Sequence, residues 1–345
     1  MSPTRYARQS QFAPIGPEGQ TRISAARVLL CGCGALGTVI ASTLARAGVG
    51  HLRIVDRDFV ELNNLQRQVL FDEDDVRSGL PKAICAAEKL RRTNSEITIE
   101  PIVADLTATS LPPLLEGVDL ILDGLDNFET RFLINDASIK HNIPWVFGGC
   151  LGAEGQSMTI IPGRTPCYRC LIPEPPDAGA AITCDMAGIL GPIINLVASV
   201  QCTEALKILS GNVEAIRKTL LLVDVWTNYY REMSLDGLSN GKCECCNNRD
   251  FPWLEGRRAN PPVILCGRNA VQISPPKPQK WTPEEVRIRL APYDTAESPV
   301  KANKFLAKAK VGEFEVTLFP DGRAIIQGTQ DPAAARSVYA KCVGV

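Results

Sequence analysis

Histidine is nearly missing from this chain: its 345 residues include two, His51 and His141. One opens an expected strand and the other falls near the end of an expected helix. Both read as structural or surface residues, which sets aside chemistry built on a histidine acid or base. Neither sign of charge is in excess. With 37 lysines and arginines against 38 acids the net charge is −1, so nothing points to nucleic acid or a membrane surface as partner. No stretch near the start has the charged-then-apolar build of a secretion signal, and a reducing, cytoplasmic setting is expected. In that setting the thirteen cysteines are thiols, ligands or nucleophiles rather than disulfides. An unbroken membrane span is lacking too. The longest apolar run, residues 187–209, contains Pro192, Asn195, Gln201, Glu204 and Lys207, and reads as a helix packed in a core.

What is present is a nucleotide site. Residues 28–31 form a short apolar run of the kind a buried parallel strand shows, and Gly32, Gly34 and Gly37 follow as G-x-G-x-x-G. The first glycine permits a tight turn, the second a close approach of backbone to phosphate, and the third a helix lying close to the sheet with its N-terminus toward the anion. Residues 52–55 make a second strand that ends at Asp56, placed to take ribose hydroxyls. The next loop holds Asp58, Asn63, Asn64, Arg67 and Gln68, with Lys82 further on and Arg8 upstream. Cations around a nucleotide suit displacement at phosphorus, where neutralising the phosphate oxygens carries most of the catalysis. Further strands are expected at residues 97–103, 118–122, 144–150 and 157–161, and helices at 37–48, 81–92 and 129–140. The fold class is α/β, a Rossmann-like, mostly parallel sheet continued by antiparallel strands. Asp126 follows the fourth strand, where ligands of open parallel sheets bind, and suits either a magnesium ion or the N-cap of the next helix.

Two C-x-x-C pairs, Cys167 with Cys170 and Cys243 with Cys246, have the make-up of a closed tetrahedral zinc site with a structural role. Cys245 is an alternative ligand, and redox chemistry an alternative use of either pair. Cys184 lies just before the long apolar helix, whose N-terminus can favour the thiolate; a small buried hydrophobe is the other reading.

The motifs R-Y-x-R-Q at Arg5 to Gln9, G-x-G-x-x-G, D-x-D at Asp56 and Asp58, N-x-x-R-Q at Asn64 to Gln68, P-K at Pro81 and Lys82, and D-x-x-D-N at Asp123 to Asn127 come in the order found in the ThiF/MoeB family. The chain resembles that family over roughly residues 3–250. The resemblance implies an enzyme that uses ATP to adenylate the C-terminal glycine of a ubiquitin-like sulfur carrier. It implies that Asp56 binds ribose, that Asn64, Arg67 and Lys82 contact phosphates, that Arg8 reaches them from its own or a partner subunit, and that Asp126 holds magnesium. It also implies a homodimer, a sulfur donor protein, and in some members a cysteine matching Cys184 that accepts the activated carrier.

The expected domains are an adenylation domain at residues 1–250, a linker at 251–262 and a small α+β domain at 263–345. The last reads as βαβββα, with strands at 263–273, 304–309, 313–319 and 323–327, helices at 282–290 and 331–339, and a hairpin turn at Pro320, Asp321 and Gly322. Some relatives carry a sulfur-transferring rhodanese domain there, but no anion-binding loop surrounds Cys266 or Cys342. The expected function is adenylation of a ThiS- or MoaD-type carrier for thiamine or molybdopterin synthesis. The alternatives are the same chemistry on another acceptor, as in a tRNA-modifying dehydratase, a nicotinamide oxidoreductase, or a non-catalytic scaffold.

Overall fold

The computed structural model describes residues 5–176, 187–238, 241–258, 263–265, 269–275 and 279–343. The chain forms two compact units, Met1–Arg258 and Ala259–Val345. In the first unit, helices α1 (Ala7–Ser10) and α2 (Gly16–Ala25) precede β1 (Arg27–Cys31), α3 (Ala35–Ala47) and β2 (His51–Val55). Next come α4 (Glu73–Ser78), α5 (Lys82–Thr93), β3 (Thr98–Ile102), α6 (Leu111–Leu114), β4 (Leu120–Asp123) and α7 (Phe128–His141). Strands β5 (Trp145–Leu151) and β6 (Glu154–Ile160), helices α8 (Tyr168–Leu171) and α9 (Gly191–Ser210), and strands β7 (Thr219–Asp224) and β8 (Tyr229–Ser234) complete it. The eight strands form one sheet in the order β3-β2-β1-β4-β5-β6-β7-β8. β1 to β5 run parallel, and β6, β7 and β8 continue antiparallel.

Both faces of the parallel part are covered, which is why β1 and β4 are nearly all apolar rather than alternating. Val28, Leu30, Leu52, Ile54, Leu120 and Leu122 pack toward α3, α5 and α9. Leu29, Cys31 and Ile121 pack toward Phe132, Trp145, Phe147, Tyr168 and Trp253 on the other side. Helix α9 is long and apolar enough to cross a membrane, yet it lies against α2, α3 and the sheet. Its approach to the sheet is close: a Cβ on Gly155 would stand 2.4 Å from Val197, and one on Gly148 as near the Gln201 side chain. Gln201 uses that nearness to donate to the carbonyls of Asp123 and Val146, at 2.9 and 3.2 Å. Residues 251–258, expected in a linker, instead carry buried Phe251, Trp253 and Leu254 into the core. The Trp253 amide donates to Asp136 at 2.9 Å, which fixes that segment to α7.

The second unit contains β9 (Val263–Leu265), β10 (Ala270–Ile273), α10 (Pro283–Leu290), β11 (Lys301–Ala302), β12 (Ala307–Val311), β13 (Phe314–Leu318), β14 (Ala324–Gln327) and α11 (Pro332–Val343). Its antiparallel sheet has the order β11-β12-β13-β14-β10-β9. The run expected as one strand at 263–273 is two paired strands, with Asn269 at φ +45° just before the second. The short β11 pairs with β12 and was not anticipated. Thr282 and Glu285 cap α10 reciprocally, and Gly322 takes φ +83° in the turn between β13 and β14.

One buried ion pair fixes the end of β4. Arg131 of α7 donates from Nε to Asp123 Oδ2 at 3.0 Å and from Nη2 to the carbonyls of Leu125 and Gly148 at 2.7 and 3.0 Å. Asp123 is fully buried; burial pushes its pKa up and Arg131 opposes that shift. Removing Arg131 strands a carboxylate in the core, so Arg131→Met is expected to cost about 3–5 kcal/mol. The sign of its pH dependence follows from linkage. An acid whose folded pKa exceeds the unfolded value binds its proton more readily when folded, so the loss grows as pH rises. Urea denaturation should therefore show the deficit largest near neutrality and smaller in acid, and an equal deficit at both would mean that Asp123 carries no charge.

Candidate active site

The turn between β1 and α3 is built by close backbone contact. Gly32 takes φ +90°, and its amide donates to the Val55 carbonyl at 2.8 Å. A Cβ on Gly37 would stand 2.1 Å from the Gly32 carbonyl oxygen, and one on Gly124, at the exit of β4, 2.4 Å from the same oxygen. Gly34 is different. The nearest atoms to a Cβ there, Gln68 Nε2 and the Gly124 oxygen, are 3.9 Å away, so space opens on that side. Gly34 precedes α3 and no side chain caps it, leaving the first amides of α3 for an anion.

Asp56 at the end of β2 closes the turn from the other side. Its two oxygens accept from the amides of Cys33 at 2.6 Å and Asp58 at 2.7 Å. Burial raises its pKa; the nearby Lys82 ammonium and these two amides oppose the rise. Lys82 begins α5 and is almost fully buried, with Nζ 3.4 Å from Asp58 Oδ2 and its amide on the Asp58 carbonyl at 2.8 Å. Asp56, Asp58 and Lys82 are thus gathered at the glycine turn. The Asn64 carboxamide is engaged inside its own loop: Oδ1 accepts from the Glu61 amide at 3.2 Å and Nδ2 donates to Asn63 Oδ1 at 2.9 Å. Arg67 is half-buried and donates to the Asn63 carbonyl at 2.8 Å.

Asp126 is exposed just beyond β4. The cap of α7 falls to Asn127, which accepts from the Thr130 amide at 2.9 Å, so Asp126 is left out of the capping role considered for it. A neighbouring cation escaped the sequence reading. Arg57, between the two acids of D-x-D, pairs with Asp105 at 2.9 Å. Burial opposes its charge, and Asp105, Asp58, Asp126 and Asp56 together outweigh the burial. Asp105 lies far away in sequence, in an unremarkable run after β3, and no spacing rule singles it out.

Arg8 is not brought to this group within one chain. It is exposed on α1, which packs at the far end of α3. There Gln9 donates to the Ala47 carbonyl at 2.9 Å, and the Tyr6 hydroxyl accepts from Asn94 at 2.7 Å. The thirteen residues of α3, roughly 20 Å of helix, separate it from the glycine turn. Cys184 lies outside the described residues.

The two cysteine pairs meet on the opposite face of the sheet. Cys167 Sγ is 3.8 Å from Cys170 and 3.6 Å from Cys243, Cys170 is 3.5 Å from Cys246, and all four sulfurs lie within 4.8 Å of one another. A tetrahedral zinc with bonds of about 2.3 Å sets its sulfurs roughly 3.8 Å apart, so the set can hold that ion with no open position for chemistry. Cys245 is excluded from the set. It is fully buried, accepts from Asn135 Nδ2 at 3.2 Å and donates to Asp136 Oδ1 at 3.5 Å. Accordingly, Cys243→Ser is expected to abolish tightly bound metal and lower the melting temperature, whereas Cys245→Ser keeps the metal; equal metal content in the two by elemental analysis would contradict the assignment.

Comparison with known proteins supplies the family. The model of the ThiF family matches residues 6–245. The Bacillus subtilis sulfur carrier protein ThiS adenylyltransferase is 43% identical over 340 residues, covering 99% of each chain. The SAMP-activating enzyme E1 of Haloferax volcanii is 42% identical over 73% of this chain and 91% of its own. The adenylyltransferase and sulfurtransferase MOCS3 of Xenopus laevis is 35% identical over 77% of this chain and 57% of its own. Among solved structures, E. coli MccB with ATP shares the fold at 23% identity and TM-score 0.59, covering 68% of this chain and 72% of that one. The family match over the whole eight-stranded sheet, Cys167, Cys170 and Cys243, together with full-length similarity to an adenylyltransferase, shows that this chain belongs to the ThiF family.

Proposed function

We propose that this chain is an ATP-dependent adenylyltransferase that activates the C-terminal glycine of a ubiquitin-like sulfur carrier of the ThiS or MoaD type. The observation that carries the reading is the uncapped start of α3 facing open space at Gly34, with Asp56 and Lys82 gathered beside it. An oxygen of the carrier's terminal carboxylate attacks the α-phosphorus of ATP. The bond from that phosphorus to the bridging oxygen breaks, and pyrophosphate leaves. No proton has to be removed from the attacking carboxylate, which fits a site among whose described residues no histidine stands near the turn. Asp56 takes the ribose, the α3 amides take phosphate, and Lys82 and Arg67 neutralise charge as it shifts to the leaving group. Asp126 would hold magnesium, which when bound offsets phosphate charge. The acyl-adenylate then passes to sulfur, either from a separate donor protein or through Cys184, whose thiolate would displace AMP and form a thioester.

The distance of Arg8 from the glycine turn supports a homodimer in which Arg8 serves the partner's site. The zinc is structural in this reading, and the second unit is a separate small domain at the C-terminal side. A reducing compartment such as the cytoplasm fits a chain that uses cysteines as metal ligands.

Incubation with candidate carriers ending in Gly-Gly, ATP and magnesium should yield an adenylated carrier by intact mass, and the carrier that reacts names the pathway. Arg67→Ala and Lys82→Ala should each lower the rate about 100-fold or more. If no carrier is modified while a nicotinamide cofactor binds tightly, the reading is wrong. Arg8→Ala and Lys82→Ala chains, each inactive alone, should recover activity when mixed and allowed to exchange subunits, because one site of the mixed dimer is then intact. No recovery despite demonstrated exchange would place Arg8 outside the chemistry.

A further inference from the structure

Arg8 belongs to the R-Y-x-R-Q motif, and the other named residues of that motif grip their own chain. Arg5 donates to the Thr93 carbonyl, at the end of α5, at 3.1 Å and pairs with Glu96 at 3.5 Å. The Tyr6 hydroxyl accepts from the fully buried Asn94, which also donates to the Ala45 carbonyl at 2.7 Å. Gln9 donates to the Ala47 carbonyl and, at 2.7 Å, to Gln20, which itself donates to the Ala47 carbonyl at 3.1 Å. The Tyr6 ring lies directly on the end of α3: a Cβ on Gly48, where φ is +82°, would stand 2.4 Å from it.

Helix α1 has four residues and buries none of them. An isolated helix is marginal in water below about 12–15 residues, so neither its own hydrogen bonds nor an apolar face keeps α1 in place. The motif side chains do. Tyr6 and Gln9 are three residues apart and turn to the same side, toward α3 and α5. Arg8, two residues after Tyr6, turns the other way; it is exposed and makes no hydrogen bond or ion pair among the described residues. Capping of the helix ends does not account for these bonds. Gln20 already serves the Ala47 carbonyl without Gln9, and Asn94 is fixed to Ala45 without Tyr6. What Tyr6 and Gln9 add is the attachment of α1 itself.

We propose that Tyr6 and Gln9 are positioning residues for Arg8: they lock α1 across the ends of α3 and α5, so that the guanidinium is held out at a set place for the site of a second copy of this chain. This rests on the reading above that Arg8 serves the partner's site. An arginine on a loose N-terminal arm would lose much conformational freedom on engaging a phosphate, and fixing its backbone beforehand reduces that loss and limits the poses it can take.

The test measures carrier adenylation by mixed dimers of full-length chains. In the parent pair, Arg8→Ala with Lys82→Ala, the single intact site combines Lys82 of the first chain with Arg8 of the second. Gln9→Met added to the Lys82→Ala chain loosens the Arg8 that serves this site, and should lower the recovered rate about tenfold with little change in KM for ATP. Gln9→Met added instead to the Arg8→Ala chain loosens an α1 that serves no site, and should leave the recovered rate unchanged. A merely structural effect does not depend on which chain carries it, so equal losses, a loss in the second arrangement alone, or none in either overturn the proposal. Should Gln9→Met lower the melting temperature, Tyr6→Phe takes its place, because the ring stays on Gly48 and only the hydroxyl's bond to Asn94 is lost; the same one-sided loss supports the proposal, and any other pattern overturns it. A parent pair that recovers no activity despite demonstrated exchange overturns the role of Arg8 in trans, and this proposal with it, whereas recovery without a one-sided loss overturns the proposal alone.

Discussion

The Gly32 carbonyl oxygen is the point on which the catalytic unit turns. Strand β1, the start of α3 and the exit of β4 converge on it so closely that two of its neighbours, Gly37 and Gly124, have no room for a side chain. Because the backbones touch, α3 begins at the sheet edge rather than above it, and its first amides face outward beside the ends of β1 and β4. Asp56 then locks the turn to β2 through the Cys33 amide. The uncapped start of α3, Asp56 and the loop that bears Asp126 are placed relative to one another by this contact, before any ligand is considered.

Much of this was legible in residue order. Strands β1, β4 and β5 are short and mostly apolar, and β1, β2, β4 and β5 lie within a few residues of where pattern alone puts them. Strand β8 and helix α4 were not anticipated. β8 is an edge strand exposed on both faces, so it carries no alternation to detect, and α4 is a short polar helix held by the Asp72 capping box rather than by an apolar stripe. In the second unit, the end of one strand and the beginning of the next were merged because both are apolar and only residues 266–269 lie between them.

The site shows the same division. Asp56, Asp58 and Lys82 could be named from spacing because they follow motifs, and the structure gathers them. Arg57 with Asp105, and Arg131 with Asp123, could not be paired from sequence, because neither spacing matches a helical or strand repeat that would mark the partners. The ambiguity between Cys245 and its neighbours was likewise beyond sequence, since Cys243, Cys245 and Cys246 differ only in which way one turn points them. Asn64 shows that a motif residue can serve its own loop: its carboxamide holds the turn that leads to Arg67.

The meeting of the two cysteine pairs also closes a ring of chain. Some seventy residues lie between Cys170 and Cys243, and they include α9, β7 and β8. An ion gripping both pairs would make that stretch a loop with joined ends in the unfolded chain as well as the folded one. On a chain-entropy account, closing a loop of that length removes roughly 4 kcal/mol of disorder from the unfolded state. The gain would go to the elements inside the ring, among them the helix whose Gln201 ties β4 to β5 near the glycine turn. A metal on the opposite face of the sheet can thus help keep folded a site it never touches.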